Sequence, residues 1–229
     1  MHPTASAFVT VGIGTLALGV LALVLLAVRR TAPVHAPTAT AVLLGWVLLT
    51  GALAGTGVLR AAQGRPLFAI VVGTLALGVW LGRSAAAGAV AAQTPVWTLV
   101  AVQGFRFPLE LVMHAAAREG TMPTLMSYGG ANFDVVSGAA ALVCGVLLWR
   151  GAPRLLAWLF LGLGTCTLAV IFAIAVVTAP ALRWAGEDQV NMWVTYVPFV
   201  WLPAVLVLAA IAGQITLYRA LRAAPAPAI

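Results

Sequence analysis

Residues 7–28 read AFVTVGIGTLALGVLALVLLAV, twenty-two positions without a charge, and Arg29-Arg30 follow at once. About 20 apolar residues are enough to cross the hydrocarbon core of a bilayer as a helix. Six further apolar stretches follow, at about 39–58, 67–81, 95–117, 132–149, 155–178 and 194–217. The third is short and is expected to extend or tilt into 83–92. Nothing in the chain reads as a strand. The expected fold is an all-α polytopic transmembrane helix bundle of seven spans.

Composition agrees. Of 229 residues, 63% are hydrophobic and 7% are charged, against about 25% charged in a soluble domain. The spans use most of the chain, so residues 1–229 are read as a single integral membrane domain. A disordered chain, a nucleic-acid module and an ordinary cytosolic enzyme are excluded. The expected home is a bacterial plasma (inner) membrane, with membrane lipids as the first partners.

All twelve cations are arginines. The absence of lysine excludes retinal held as a Schiff base. With the N-terminus outside, Arg29, Arg30, Arg83, Arg150, Arg154, Arg219 and Arg222 are cytoplasmic, and Arg60, Arg65, Arg118 and Arg183 are external. Seven against four favours N-out, C-in by the positive-inside rule. The first stretch has no preceding cation other than a protonated His2, which suits an N-out anchor better than a cleaved signal peptide. Trp149, Trp184 and Trp193 fall near span ends, at headgroup level. Gly51-x-x-x-Gly55 offers a small-residue face through which helices, or copies of the chain, can associate. GTLALGV occurs at 14–20 and again at 73–79, which suggests packing of both copies against a common neighbour.

The fourth span carries the polar signal. Gln103, Arg106, Glu110 and His114 are spaced by three, four and four residues and share one stripe of a helix. Arg106 lies near the middle of that span, where a charge is costly unless paired or hydrated, and Glu110 one turn away is its expected partner. Pro108 removes a hydrogen bond to the Gly104 carbonyl and predicts a distortion there. Beyond the span come Tyr128 and Gly129-Gly130, then Asn132-Phe-Asp134. Asn132 is read as a cap of the fifth helix, with Asp134 in its first turn. Trp193 and Tyr196 enter from the approach to the last span. All five carboxylates lie outside or in the outer half of the membrane on this orientation.

Several chemistries remain open. Glu110 and Asp134, in unlike settings, suit acid and base roles on a small lipophilic substrate, with His114 as relay and Arg106 as the fixed charge. Gln103, Asn132, Tyr128, Trp193 and Tyr196 are then candidate substrate-binding residues. The same groups suit a small proton-coupled transporter. A non-catalytic assembly protein with a structural Arg106–Glu110 pair is the third reading. A metal held by Glu110, His114 and Asp134, with Met113, Met122, Met126 and Met192 nearby, lacks a second membrane histidine, and no metal is assigned. No motif names a cofactor. Cys144 and Cys166 read as small buried hydrophobes, and Ser137 lacks the context of a protease nucleophile.

Phe105-Arg-Phe-Pro-Leu-Glu110, Asn132-Phe-Asp134 and Pro198-Phe-Val-Trp-Leu-Pro203 resemble the pattern of a family of uncharacterised bacterial seven-span membrane proteins. The resemblance covers roughly residues 100–205. It implies the seven-span architecture, draws attention to Arg106, Glu110, Asn132 and Asp134, and names no reaction. In that family the loop before Asn-Phe-Asp carries a glutamate and an arginine; residues 127–131 carry neither.

Overall fold

Ser6 starts the first helix twice over. Its hydroxyl accepts from the Val9 N–H at 3.3 Å, and its own N–H donates to Glu119 at 2.9 Å. From this cap runs α1, Ala7–Thr31. A turn at Pro33–His35 leads into α2, Ala36–Gly55. Gly57, with φ of 82°, reverses the chain as a left-handed residue readily does, and the single turn α3, Val58–Ala61, follows. The computed structural model describes residues 5–223, and within them the chain is helical with no strand. His2 lies outside the described residues.

Helix α4, Pro66–Arg83, is the third long helix. It does not continue into the next segment. Ser84 turns the backbone to extended geometry, with ψ of 162°, and its hydroxyl accepts from the Ala87 N–H to cap a separate helix, α5, Ala85–Gln93. A serine cap competes with helix continuation, which hydropathy does not register. The fourth long helix is Val96–Arg118, built from α6, Val96–Ala101, a tightened 3₁₀ turn at Val102–Phe105, and α7, Arg106–Arg118. The tightening includes Gly104, whose carbonyl Pro108 cannot serve.

Helix α8, Asp134–Trp149, has 16 residues, and α9, Leu155–Val177, has 23. Residues 178–201 form short turns where the expected seventh span already begins. The last helix starts as a π turn, Leu202–Val207, and continues as α10, Leu208–Arg222. Trp46 and Trp201 lock this irregular start. The Trp46 indole donates to the Ala204 carbonyl at 3.0 Å, and the Trp201 indole donates to Val47 at 3.2 Å.

Among the described residues, six helices are long and apolar enough to cross a membrane: Ala7–Thr31, Pro33–Gly55, Pro66–Arg83, Val96–Arg118, Leu155–Val177 and Leu202–Arg222. The apolar window of the last is 72% buried, against 28% for the first two, so the last helix is the centre of the bundle. It packs on α4, α5, α6 and α9. Gly78 and Gly82 bring α4 close, for a Cβ on Gly82 would stand 2.8 Å from Ile215. Both α1 and α4, which carry the two copies of GTLALGV, pack against Leu202–Val207.

The outside of the bundle is apolar. Leu48, Phe68 and Leu155 are 70%, 68% and 64% exposed, a surface that water does not favour and acyl chains do. Within this exterior, Gly51 is taken by the chain itself: a Cβ there would meet the Trp201 ring at 3.4 Å. Gly55 has open space around it.

Candidate functional site

Arg106 lies midway along Val96–Arg118, roughly 15 Å from either end. Helices α7 and α8 meet closely because α8 presents Gly138 and Gly145. A Cβ on Gly138 would be 2.7 Å from the Cα of Phe107, and one on Gly145 would be 2.7 Å from the Cβ of Ala101. This antiparallel register brings the start of α8 beside the first turns of α7, deep within the protein.

The partner of Arg106 is Asp134, the first residue of α8, and not Glu110. Arg106 Nε donates to Asp134 Oδ2 at 2.7 Å, and Nη2 pairs with Oδ1. The other guanidinium donors turn to α9, to Thr167 Oγ1 at 3.1 Å and the Gly164 carbonyl at 3.4 Å. The Ser137 hydroxyl donates to Asp134 as well. A carboxylate at a helix start also has the favourable dipole end and a fork-on-fork geometry with arginine. A residue one turn away on α7 itself offers neither.

Glu110 is instead held by Asn132, whose amide donates to Glu110 Oε1 at 2.8 Å and to the Met126 carbonyl at 2.9 Å. The Asn132 oxygen accepts from the Asp134 N–H at 3.0 Å, a turn bond made from one residue outside the cap position, which is Phe133 and not the expected Asn132. Arg106, Glu110, Asn132 and Asp134 are all 1–2% exposed. The second oxygen of Glu110 is buried without a partner.

The segment between α7 and α8 closes over these groups by folding back along α7. Met122 and Met126 are buried in it, and the Tyr128 ring stacks on His114 at 4.1 Å. His114 Nδ1 is also buried without a partner. Gly130 permits the fold-back, since a Cβ there would strike the backbone of Thr124 and Leu125. Outside the helix, hydrogen bonds from Ser6 hold the Glu119 carboxyl below the ordinary carboxylate range. That tie is present above the range and is lost as pH falls through the lowered value.

Gln103 lies one turn before Arg106 and presses against Gly213 of α10; its Oε1 is unpartnered. Trp193 packs on Phe199 at 4.7 Å, and the Tyr196 ring lies under Arg60 at 4.4 Å, both on the approach to the last helix. The structure therefore gathers Arg106, Glu110, Asn132 and Asp134 tightly, with His114 and Tyr128 above them. Thr167, Gly164 and Ser137 belong to the same network. They have no sequence signal beyond being small residues in apolar runs. Among the described residues no group of three His, Cys, Asp or Glu side chains is arranged to hold a metal ion.

The network can hold one carboxylate fixed in an ion pair and keep a second, Glu110, without a cation. Compared with known proteins, the chain matches no described family, no curated protein and no solved structure at a level that carries an assignment.

Proposed function

We propose that this chain is a multi-pass protein of a bacterial inner membrane, N-out and C-in, that binds a small lipophilic molecule and acts on it by acid–base chemistry at Glu110. Asp134–Trp149, fifth in chain order, is taken as the crossing that brings the six long helices to seven. At 16 residues it covers about 24 Å, and the fold-back of the preceding segment fills the outer membrane half above it. Irregular backbone at that depth is tolerated where protein covers it. The resemblance to an uncharacterised seven-span family agrees with this architecture.

One observation carries the chemistry. Of the two buried carboxylates, Asp134 is neutralised by Arg106 while Glu110 is held by a neutral amide and keeps an unpartnered oxygen. A carboxyl without a fixed counter-charge is the one free to exchange a proton. Arg106–Asp134 serves as the frame, and Glu110 is the reacting group. His114, one turn nearer the outside, is placed to pass the proton on.

Glu110→Gln keeps the shape and the bond from Asn132 and removes the exchangeable proton. The variant is expected to fold and to lose about 100-fold or more of the protein's effect, measured as complementation of a strain lacking the chromosomal copy. Full complementation by Glu110→Gln refutes the proposal. The unpartnered Glu110 Oε2 and His114 Nδ1 on consecutive turns also favour a second reading, proton-coupled transport. A Glu110-dependent proton flux in sealed vesicles selects it, and tight vesicles with wild-type protein dismiss it.

A further inference from the structure

Helices α9 and α10 do not close fully on each other. Between them runs a cavity of about 280 Å³, open along the flank of the bundle. Its walls are Leu161 and Leu168 of α9 and Ile211 and Ile215 of α10. No charged residue lines it. Its volume is at the lower edge of small-molecule sites, enough for part of one aliphatic chain.

Gln214 is the anomaly in this apolar slot. It lies in the lining, is 5% exposed, and neither its Nε2 nor its Oε1 has a partner. A buried primary amide with both ends unsatisfied is costly in an apolar setting. Packing also fixes its place, because a Cβ on Gly164 would overlap the Gln214 amide nitrogen and come within 3.2 Å of Arg106 Nη1. The amide thus stands between the slot and the Arg106–Asp134 pair.

The chemistry of the missing partner follows. A ligand carbonyl answers the Nε2–H alone, and a hydrocarbon answers neither atom. A hydroxyl both accepts and donates, so it can serve Nε2 and Oε1. Thr165, also in the lining, has its own hydroxyl proton committed to the Leu161 carbonyl at 2.7 Å and offers a further acceptor. We propose that the α9–α10 slot, with Gln214 at its floor, is a binding site for an uncharged long-chain alcohol that enters sideways from the membrane. This deepens the proposed function by naming the ligand class, and it rests on that reading only for what happens to the ligand afterwards.

The test is photolabelling of the full-length protein in lipid nanodiscs with diazirine-tagged dodecanol, the matching tagged dodecane and a tagged diacylglycerol, mapped by mass spectrometry. Dodecanol is expected to label α9 and α10 around Leu168 and Ile215 saturably. Its advantage over dodecane should be about tenfold, the worth of one or two neutral hydrogen bonds. Gln214→Leu should abolish that advantage, and Thr165→Trp should block labelling by both chains. Labelling by diacylglycerol at the same peptides identifies a glycerolipid hydroxyl as the source; its absence identifies a free chain alcohol. Equal labelling by alcohol and alkane, label spread over the whole exterior, or an advantage unchanged in Gln214→Leu overturns the proposal. Should Gln214→Leu fail to fold, Thr165→Trp, at an exposed position, decides the matter: unchanged labelling refutes the slot. Glu110 is intact throughout, so failure here is separate from failure of the Glu110 exchange.

Discussion

Asp134→Ala is expected to lower the stability of the detergent-solubilised protein by about 3–5 kcal/mol, the cost of leaving a buried partner charge uncompensated. The stranded group is the Arg106 guanidinium, 1% exposed, with only Thr167 and the Gly164 carbonyl left as acceptors. Arg106→Ala should cost less. It leaves a carboxylate that still accepts from the Ser137 hydroxyl and stands at the start of α8, where the helix dipole favours it. The pair of substitutions together should be milder than Asp134→Ala alone, because no unpaired charge remains. Thermal unfolding of the three variants closes the cycle. Additive losses would show that the two residues are not coupled. Glu110→Ala is the contrast: it removes no counter-ion, and its loss should be well below that of Asp134→Ala.

The second large effect comes from a methyl group. Gly138→Ala should destabilise the protein by about 3 kcal/mol, the upper end of overpacking costs. The added Cβ would lie on the Phe107 nitrogen and 2.8 Å from the carbonyl carbon of Arg106. Both obstacles are backbone, so no side chain can swing away; α7 and α8 must separate. Separation also stretches the Arg106–Asp134 bridge. Gly138→Ala should therefore lose function along with stability. Gly19→Ala is the control. Nothing lies within 4 Å of its Cβ position, and replacing a helical glycine there should be neutral or stabilising by about 0.5–1 kcal/mol. Parallel melting curves decide it; equal behaviour of the two variants would mean that the α7–α8 approach is looser than described.

Much of the helix plan is legible in the sequence because apolar runs of span length have few other destinies. The departures come from local chemistry that hydropathy averages away. Ser84 is one polar residue in a permissive segment, yet its capping bond divides α4 from α5. The last helix starts at Leu202 rather than near Val194, after residues whose apolar side chains are buried in turns.

The site shows the same division. Gln103, Arg106, Glu110 and His114 are legible as one stripe because helical periodicity is a reliable ruler within an element. Partnership across elements has no such ruler. Glu110 is the nearest acid to Arg106 along the helix, but Asp134, 28 positions away in sequence, reaches it in space. The register that allows this is set by Gly138 and Gly145, which look like ordinary small residues in an apolar run. Gln214 is similarly quiet in sequence, one amide in a long hydrophobic helix. Its weight comes from the α9–α10 gap and from its missing partners.

The Arg106–Asp134 bridge has a consequence for how the chain enters the bilayer during synthesis. Either charge alone at mid-depth of a bilayer costs several kcal/mol, and on the proposed seven-span architecture the two belong to successive crossings. The arginine-bearing helix emerges first, and at its final depth it carries that cost until its partner arrives. On that architecture the helix is expected to stay at the insertion machinery until the start of α8 arrives, so that the two enter the lipid together as a neutral hairpin. The order of insertion is thereby written into an ion pair.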